Sequence, residues 1–187
     1  MKRYIAADFG AGSGRVIVGT PSAEGIQLEE IHRFENNQKM IDGHLRWDFN
    51  ALFNELKTGL KKAFAKYGDE IESIGIDTWG VDFGLLDKDG KLISTPVCYR
   101  DDRTKGMLEL AFQKLPKEEF FQHAANQFME INTAFQLLSA TVETSPCGVS
   151  ELQRAEKLLF MPDLFNYFLT GKCYNEFTIS STSQLMN

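Results

Sequence analysis

The segment Asp8-Phe9-Gly10-Ala11-Gly12-Ser13-Gly14-Arg15 restricts this chain more than any other stretch. Three glycines stand at alternate positions, and apolar runs flank them, Tyr4 to Phe9 before and Val16-Ile17-Val18 after. Such runs around a glycine-rich turn predict two strands joined tightly. The same turn excludes two common nucleotide folds. A P-loop ends in Gly-Lys-Ser or Gly-Lys-Thr, which is absent here. A dinucleotide fingerprint reads GxGxxG and opens a helix, whereas this turn reads GxGxG and leads into a β-branched run. Closely spaced glycines let backbone N–H groups approach phosphate oxygens without a Cβ in the way. Ser13 can add a hydroxyl and Arg15 a charge. Asp8, at the strand end, can hold Mg²⁺ through water. On these residues alone a phosphate cradle and a plain hairpin stand level.

The rest of the chain gives the fold class. Ile26 to Phe34 reads as a third strand, with Leu28, Ile31 and Phe34 as its apolar members. Asp48 is a good N-cap, and Phe49, Leu52, Phe53, Leu56, Leu60, Phe64 and Tyr67 recur at helical spacing. A helix over 48–66, stopped at Gly68, follows from that pattern. Ile71 to Asp77 and Phe83 to Leu86 read as strands around the Trp79-Gly80 turn, and Asp89-Gly90 turns into Lys91-Leu92-Ile93. After Arg103 the spacing predicts helices over 105–115, 117–124, 133–143, 151–160 and 162–169, with Pro162 suited to a first turn and Gly171 to an end. The expected fold is α/β with an antiparallel start, not strict βαβ alternation.

Composition removes some functions. A net charge of −6 carries no nucleic-acid footprint, yet does not exclude ATP, which needs local amides and a metal. Cys98, Cys147 and Cys173 lie far apart with no CxxC pair, which reads as reduced thiols in a cytoplasmic protein. The apolar stretch after Met1-Lys2-Arg3 is too short for a signal peptide, and no membrane span is expected. His32, His44 and His123 show no metal-ligand spacing. Trp79 and Tyr99 can offer apolar platforms to a bound ligand, though a core role for Trp79 weighs as much. Asp82 can cap a strand end, pair with Arg103 or accept a ligand hydroxyl. Arg100 and Arg103 read as structural clamps.

Positions 8–15 resemble the first phosphate motif of the actin-like ATPase superfamily, in which it joins the first two strands of a ribonuclease-H-like sheet. Gly75-Ile76-Asp77-Thr78-Trp79-Gly80-Val81-Asp82-Phe83 resembles the rhamnulokinase branch of the FGGY carbohydrate kinases. Tyr99 to Thr104, Gln127-Phe128, Asn132-Thr133, Gln136-Leu137 and Met161 to Gly171 follow in family order, and Ile31 to Phe34 and Trp47-Asp48 are shared as well. Glu176 to Asn187 resembles the strand that closes the sheet of the first domain.

The resemblance implies ATP and Mg²⁺, with Ala11, Gly12, Ser13, Gly14 and Arg15 at the phosphates and Asp8 at the metal. It implies Gly80, Trp79, Asp82 and Tyr99 at the sugar. The reaction would move the γ-phosphate to the C1 hydroxyl of L-rhamnulose in L-rhamnose catabolism, with L-fuculose left open. Residues 1–187 would be an incomplete N-terminal domain, inactive alone, because the catalytic aspartate and the adenosine-binding domain are expected beyond them. Nucleic acid and membrane are not expected as partners. A stand-alone actin-like module that binds nucleotide or assembles with itself is the other class, but it has no need of the Trp79 to Asp82 segment.

Overall fold

The computed structural model describes residues 1–142 and 148–186. Strands β1 (Arg3–Phe9), β2 (Ser13–Ser22), β3 (Gly25–Glu35), β4 (Gln38–Ile41) and β5 (His44–Trp47) lead into helix α1 (Phe49–Tyr67). Strands β6 (Ile71–Thr78) and β7 (Phe83–Leu86) follow, then helices α2 (Met107–Lys114), α3 (Lys117–Ala124), α4 (Thr133–Val142) and α5 (Val149–Arg154). Strand β8 (Lys157–Phe160) and helices α6 (Met161–Thr170) and α7 (Phe177–Ser180) complete the order. These elements form two compact units, one of Met1–Asn37 and Asp48–Trp79, the other of Gln38–Trp47 and Gly80–Asn187.

The first unit is built on a mixed sheet of order β3-β2-β1-β6. Its first three strands are antiparallel neighbours, as the sequence led us to expect, and β6 runs parallel to β1. Alternation places Ile5, Ala7, Phe9, Val16 and Val18 in the core. Helix α1 covers that face with Leu52, Leu56, Leu60 and Ala63 buried. It approaches closely at Gly59, where a Cβ would lie 2.4 Å from Val16 Cγ2. The Asp48 carboxylate accepts the Ala51 N–H at 3.0 Å, and Gly68 ends the helix at φ 50°. Each N-cap of this kind is worth about 1 kcal/mol.

In the second unit β4 and β5 form a hairpin across Asp42-Gly43, both at positive φ (51° and 80°). This hairpin was missing from the sequence reading, although Asp-Gly between apolar residues is a strong hairpin signal. Strands β7 and β8 pair antiparallel, Phe83 opposite Phe160. Trp47, Leu86, Phe135, Leu159, Met161, Leu164 and Phe165 form the buried apolar set.

Two expectations are corrected. Residues 151–160 are not one helix: α5 stops at Arg154, and Lys157–Phe160 is strand β8. A four-residue apolar run fits either period, and here the open ladder of β7 takes it, with the Glu156 N–H adding a bond to the Leu86 carbonyl at 2.8 Å. The stretch after Glu176 is not a sheet strand within the described residues. The Glu176 side chain accepts the N–H groups of Thr178 and Ile179 and starts α7, followed by a 3₁₀ turn over Ser181–Ser183. A serine- and threonine-rich segment behind a capping carboxylate favours this short helical form. Glu143, Cys147 and Asn187 lie outside the described residues. Among the described residues, Cys98 and Cys173 are free thiols, and no helix is long and apolar enough to cross a membrane.

Candidate functional site

The first unit carries the glycine turn between β1 and β2. Its shape is fixed from behind by Asn36, which is almost fully buried. The Asn36 N–H donates to the Gly12 carbonyl at 3.1 Å, and its Nδ2 donates to the Gly10 carbonyl at 2.9 Å. A trans peptide points its N–H opposite to its C=O, so the amides of Ala11 and Ser13 face away from Asn36. The three glycines have different reasons. A Cβ on Gly10 would sit 3.1 Å from the Ser13 carbonyl oxygen, and one on Gly14 would strike the Phe34 ring at 2.2 Å. A Cβ on Gly12 would meet nothing within 4 Å, and Gly12 is not at positive φ. The turn itself therefore does not require glycine at position 12.

Asp8 stands at the edge of this turn. Arg15 Nε donates to its Oδ2 at 2.7 Å. In the sheet register Asp8 lies opposite Arg15 on β2 and beside Asp77 on β6. Residues paired across a ladder share a face, so the two carboxylates are neighbours. Among the described residues no group of three or more His, Cys, Asp or Glu forms a metal cage. Two carboxylates nevertheless suit Mg²⁺, which keeps most of its waters and takes its other ligands from phosphate oxygens. Trp79 ends this unit, part-buried, and its carbonyl accepts the Thr78 hydroxyl at 2.8 Å.

The second unit carries Gly80, Asp82 and Tyr99. Gly80 and Tyr99 are part-exposed, whereas Asp82 is 1% exposed. Asp82 Oδ2 accepts Trp47 Nε1 at 2.6 Å and the Tyr99 N–H at 3.1 Å, and Oδ1 accepts Gln136 Nε2 at 2.9 Å. Asp82 and Tyr99 are thus brought together, with the Trp47 ring tilted 6.3 Å from that of Tyr99. The Asp82 N–H also reaches the Gly80 carbonyl at 2.9 Å across Val81, whose φ is 67°. An i→i+2 bond around a residue of positive φ is the strained form of the γ-turn. Gly80 packs on Thr182, whose Oγ1 would be 3.3 Å from an added Cβ.

The segment behind Tyr99 is pinned by Asp101. Burial pushes its carboxyl up, but hydrogen bonds from His44 Nδ1 (3.0 Å), the Leu45 N–H (2.6 Å) and the Arg103 N–H (3.1 Å) outweigh this and hold it below the usual carboxylate range. A lowered folded pKa stabilises the fold above the unfolded value, and the gain is lost as pH falls through the folded one. Asp101→Asn is expected to cost about 2–3 kcal/mol at neutral pH, or roughly 4–12 °C in Tm. The gap from wild type should close on acidification below the carboxylate range. Thermal melts across pH check both, and a gap that persists in acid would place the effect elsewhere. His44 has this structural partner, and His32 has Glu55 at 2.6 Å.

Sequence reading gave Asn36 and Thr182 no role of their own, and named Thr133 and Gln136 only within segments in family order, without tying them to these turns. Asn and Gln amides and lone hydroxyls carry no motif by themselves; only the fold brings them to the glycine turn or to Val81 from distant segments.

Comparison with known proteins follows the same lines. The model of the FGGY family of carbohydrate kinases, N-terminal domain, matches residues 3–187. The chain is 45% identical over 186 residues to a rhamnulokinase of Bacteroides thetaiotaomicron, covering all of this chain and 37% of that protein. It is 43% identical over 187 residues to a rhamnulokinase of Halalkalibacterium halodurans, covering all of this chain and 39% of that protein. The chain thus spans well under half the length of these relatives. Among solved structures, a ligand-bound xylulose kinase from Lactobacillus acidophilus has a TM-score of 0.85 at 14% identity, covering 100% of this chain and 37% of that one. Plasmodium falciparum glycerol kinase with ADP has a TM-score of 0.79 at 18% identity, covering 100% and 38%. These structures share the fold.

Proposed function

Because this chain belongs to the FGGY family of carbohydrate kinases, as its N-terminal domain, we propose that the protein carrying it is an ATP-dependent kinase that phosphorylates the C1 hydroxyl of L-rhamnulose. The observation that carries the phosphate side is Gly12, a glycine with open space at its Cβ position. Such space is needed where a phosphate oxygen approaches the backbone. The choice of sugar is supported by the rhamnulokinases to which the chain is 45% and 43% identical, together with the Gly75 to Phe83 segment.

The amides of the turn, Ala11 to Ser13, would donate to ATP phosphates and the Ser13 hydroxyl would add a donor, whereas Gly14 and Arg15 are paired on both sides within the sheet. Arg15 keeps Asp8 in place through the 2.7 Å bond. Asp8, with Asp77 beside it, would hold Mg²⁺, which neutralises phosphate charge when bound. In the second unit Tyr99 offers an apolar face to the sugar and the Gly80 backbone approaches its hydroxyls; Trp79, at the end of the first unit, is by its side-chain chemistry a second candidate platform. Asp82 is turned inward and engaged by three donors, so it acts on the sugar through the turn it anchors. Dependence on ATP puts the reaction in the cytoplasm, where the sugar is consumed in L-rhamnose catabolism.

Kinetics of the complete protein on L-rhamnulose, L-fuculose, D-xylulose, L-ribulose and glycerol test this reading. The highest kcat/KM is expected for L-rhamnulose. A clear preference for xylulose, ribulose or glycerol rejects the sugar assignment.

A further inference from the structure

The turn at Gly80–Asp82 is held in a conformation that its own residues disfavour. Val81, at φ 67°, is the one β-branched residue among the described non-glycine residues of positive φ, the others being Asp42, Ala125 and Gln184. A branched side chain in this region is strained, and such strain persists only where the surroundings over-determine it. Three side chains from outside the turn do so. Thr133 Oγ1 donates to the Val81 carbonyl at 2.7 Å. Gln136 Nε2 donates to the same carbonyl at 3.3 Å and to Asp82 Oδ1 at 2.9 Å. Thr182 Oγ1 accepts the Val81 N–H at 3.3 Å.

The orientation of the Gln136 amide is decided by its partners. Arg103 Nη2, which can only donate, lies 2.9 Å from Oε1. Nε2 faces three acceptors, the third being the Ile131 carbonyl at 2.8 Å. Thr133 and Gln136 are both almost fully buried, so each lost bond leaves a polar group without water to replace it. Thr182 is part-exposed and lies against Gly80.

We infer that Thr133, Gln136 and Thr182 are positioning residues for the sugar, holding the strained Val81 turn in the shape that presents the Gly80 backbone to substrate. The inference rests on the kinase reading and adds to it residues that do not themselves touch the sugar. Without the hold, Val81 relaxes toward negative φ and the peptide groups on both sides rotate. Sugar binding then suffers, while the glycine turn that meets ATP is untouched.

The test uses the complete protein with Thr133→Val, Gln136→Met and Thr133→Ser. Thr133→Val and Gln136→Met are expected to raise the KM for L-rhamnulose about tenfold, the worth of one lost buried hydrogen bond, with the KM for ATP within about twofold. Thr133→Ser keeps the hydroxyl and should restore the wild-type value. Hydrogen exchange at the Val81 and Asp82 amides should accelerate in the two disruptive variants, while β1 keeps its protection. In a Val81→Gly background, which relieves the strain, Thr133→Val should cost less than it does in wild type. If Thr133→Val does not fold, Thr182→Val at the part-exposed position gives the same comparison. Unchanged exchange at Val81 and Asp82 in folded variants overturns the inference, as does a parallel rise in both KM values. Faster exchange in a protein whose wild type turns over no L-rhamnulose overturns the sugar role together with the kinase reading.

Discussion

Gly12→Val in the complete protein is expected to lower kcat/KM for ATP by at least about tenfold while the melting temperature stays within about 2 °C of wild type. The space beside Gly12 is open, and its φ is not positive, so the Cβ of a valine meets no protein atom within 4 Å and needs no forbidden backbone. What valine does block is the approach of a phosphate oxygen to the neighbouring amides. Losing one hydrogen bond to a charged group costs about 1.5–3 kcal/mol, roughly a 10- to 150-fold effect, and the clash adds to it. Gly14→Ala is the contrast, because its Cβ would lie 2.2 Å from the Phe34 ring. That change should destabilise the sheet itself. ATP titrations and thermal melts of both variants separate the two roles. A folded Gly12→Val enzyme with unchanged kinetics would make the turn a purely structural hairpin.

Asp82→Ala is expected to be among the most destabilising single changes in the chain. It leaves Trp47 Nε1 and the Tyr99 N–H without the acceptors now 2.6 and 3.1 Å away, and takes one of its three acceptors from Gln136 Nε2. Each buried donor left unsatisfied costs about 1–3 kcal/mol. Two such donors bring the cost to about 2–6 kcal/mol, and a domain of this size loses roughly 2–4 °C of Tm per kcal/mol. A drop of roughly 4–24 °C should result, with near-ultraviolet circular dichroism reporting the freed Trp47. Asp82→Asn retains one acceptor oxygen but turns an NH₂ donor toward other donors, so it should fall between Asp82→Ala and wild type. A loss below about 1 kcal/mol for Asp82→Ala would mean that the three donors find other acceptors.

The parts of the fold that were legible in the sequence are those with a long period or a strong punctuator. Helix α1 shows five turns of apolar spacing, an aspartate at its start and a glycine at its end, and it forms where those residues place it. The glycine turn and its antiparallel strands were equally clear. Strand β8 was hidden because Lys157–Phe160 is too short to reveal a period, and its identity depends on pairing with β7. The Asp42-Gly43 hairpin carried its signal openly and was passed over. For the site, glycines and aromatic residues marked the two turns, but the side chains that hold them were silent. Asn36 reaches Gly10 across 26 positions, and Thr133 reaches Val81 across 52. No local pattern encodes a contact at that separation. Asp82 shows the reverse limit: its type suggested a sugar ligand, while its 1% exposure and its three donors describe an anchor.

The most direct test of a kinase for the C1 hydroxyl of L-rhamnulose is the identity of the product. The complete protein is incubated with L-rhamnulose, ATP and Mg²⁺, and the mixture is followed by phosphorus–proton correlation spectroscopy. A new phosphate monoester coupled to the two C1 methylene protons of L-rhamnulose, formed in step with ADP, is the expected result. ADP formation without a sugar phosphate, or a phosphorus signal coupled to any other carbon of the sugar, would contradict it.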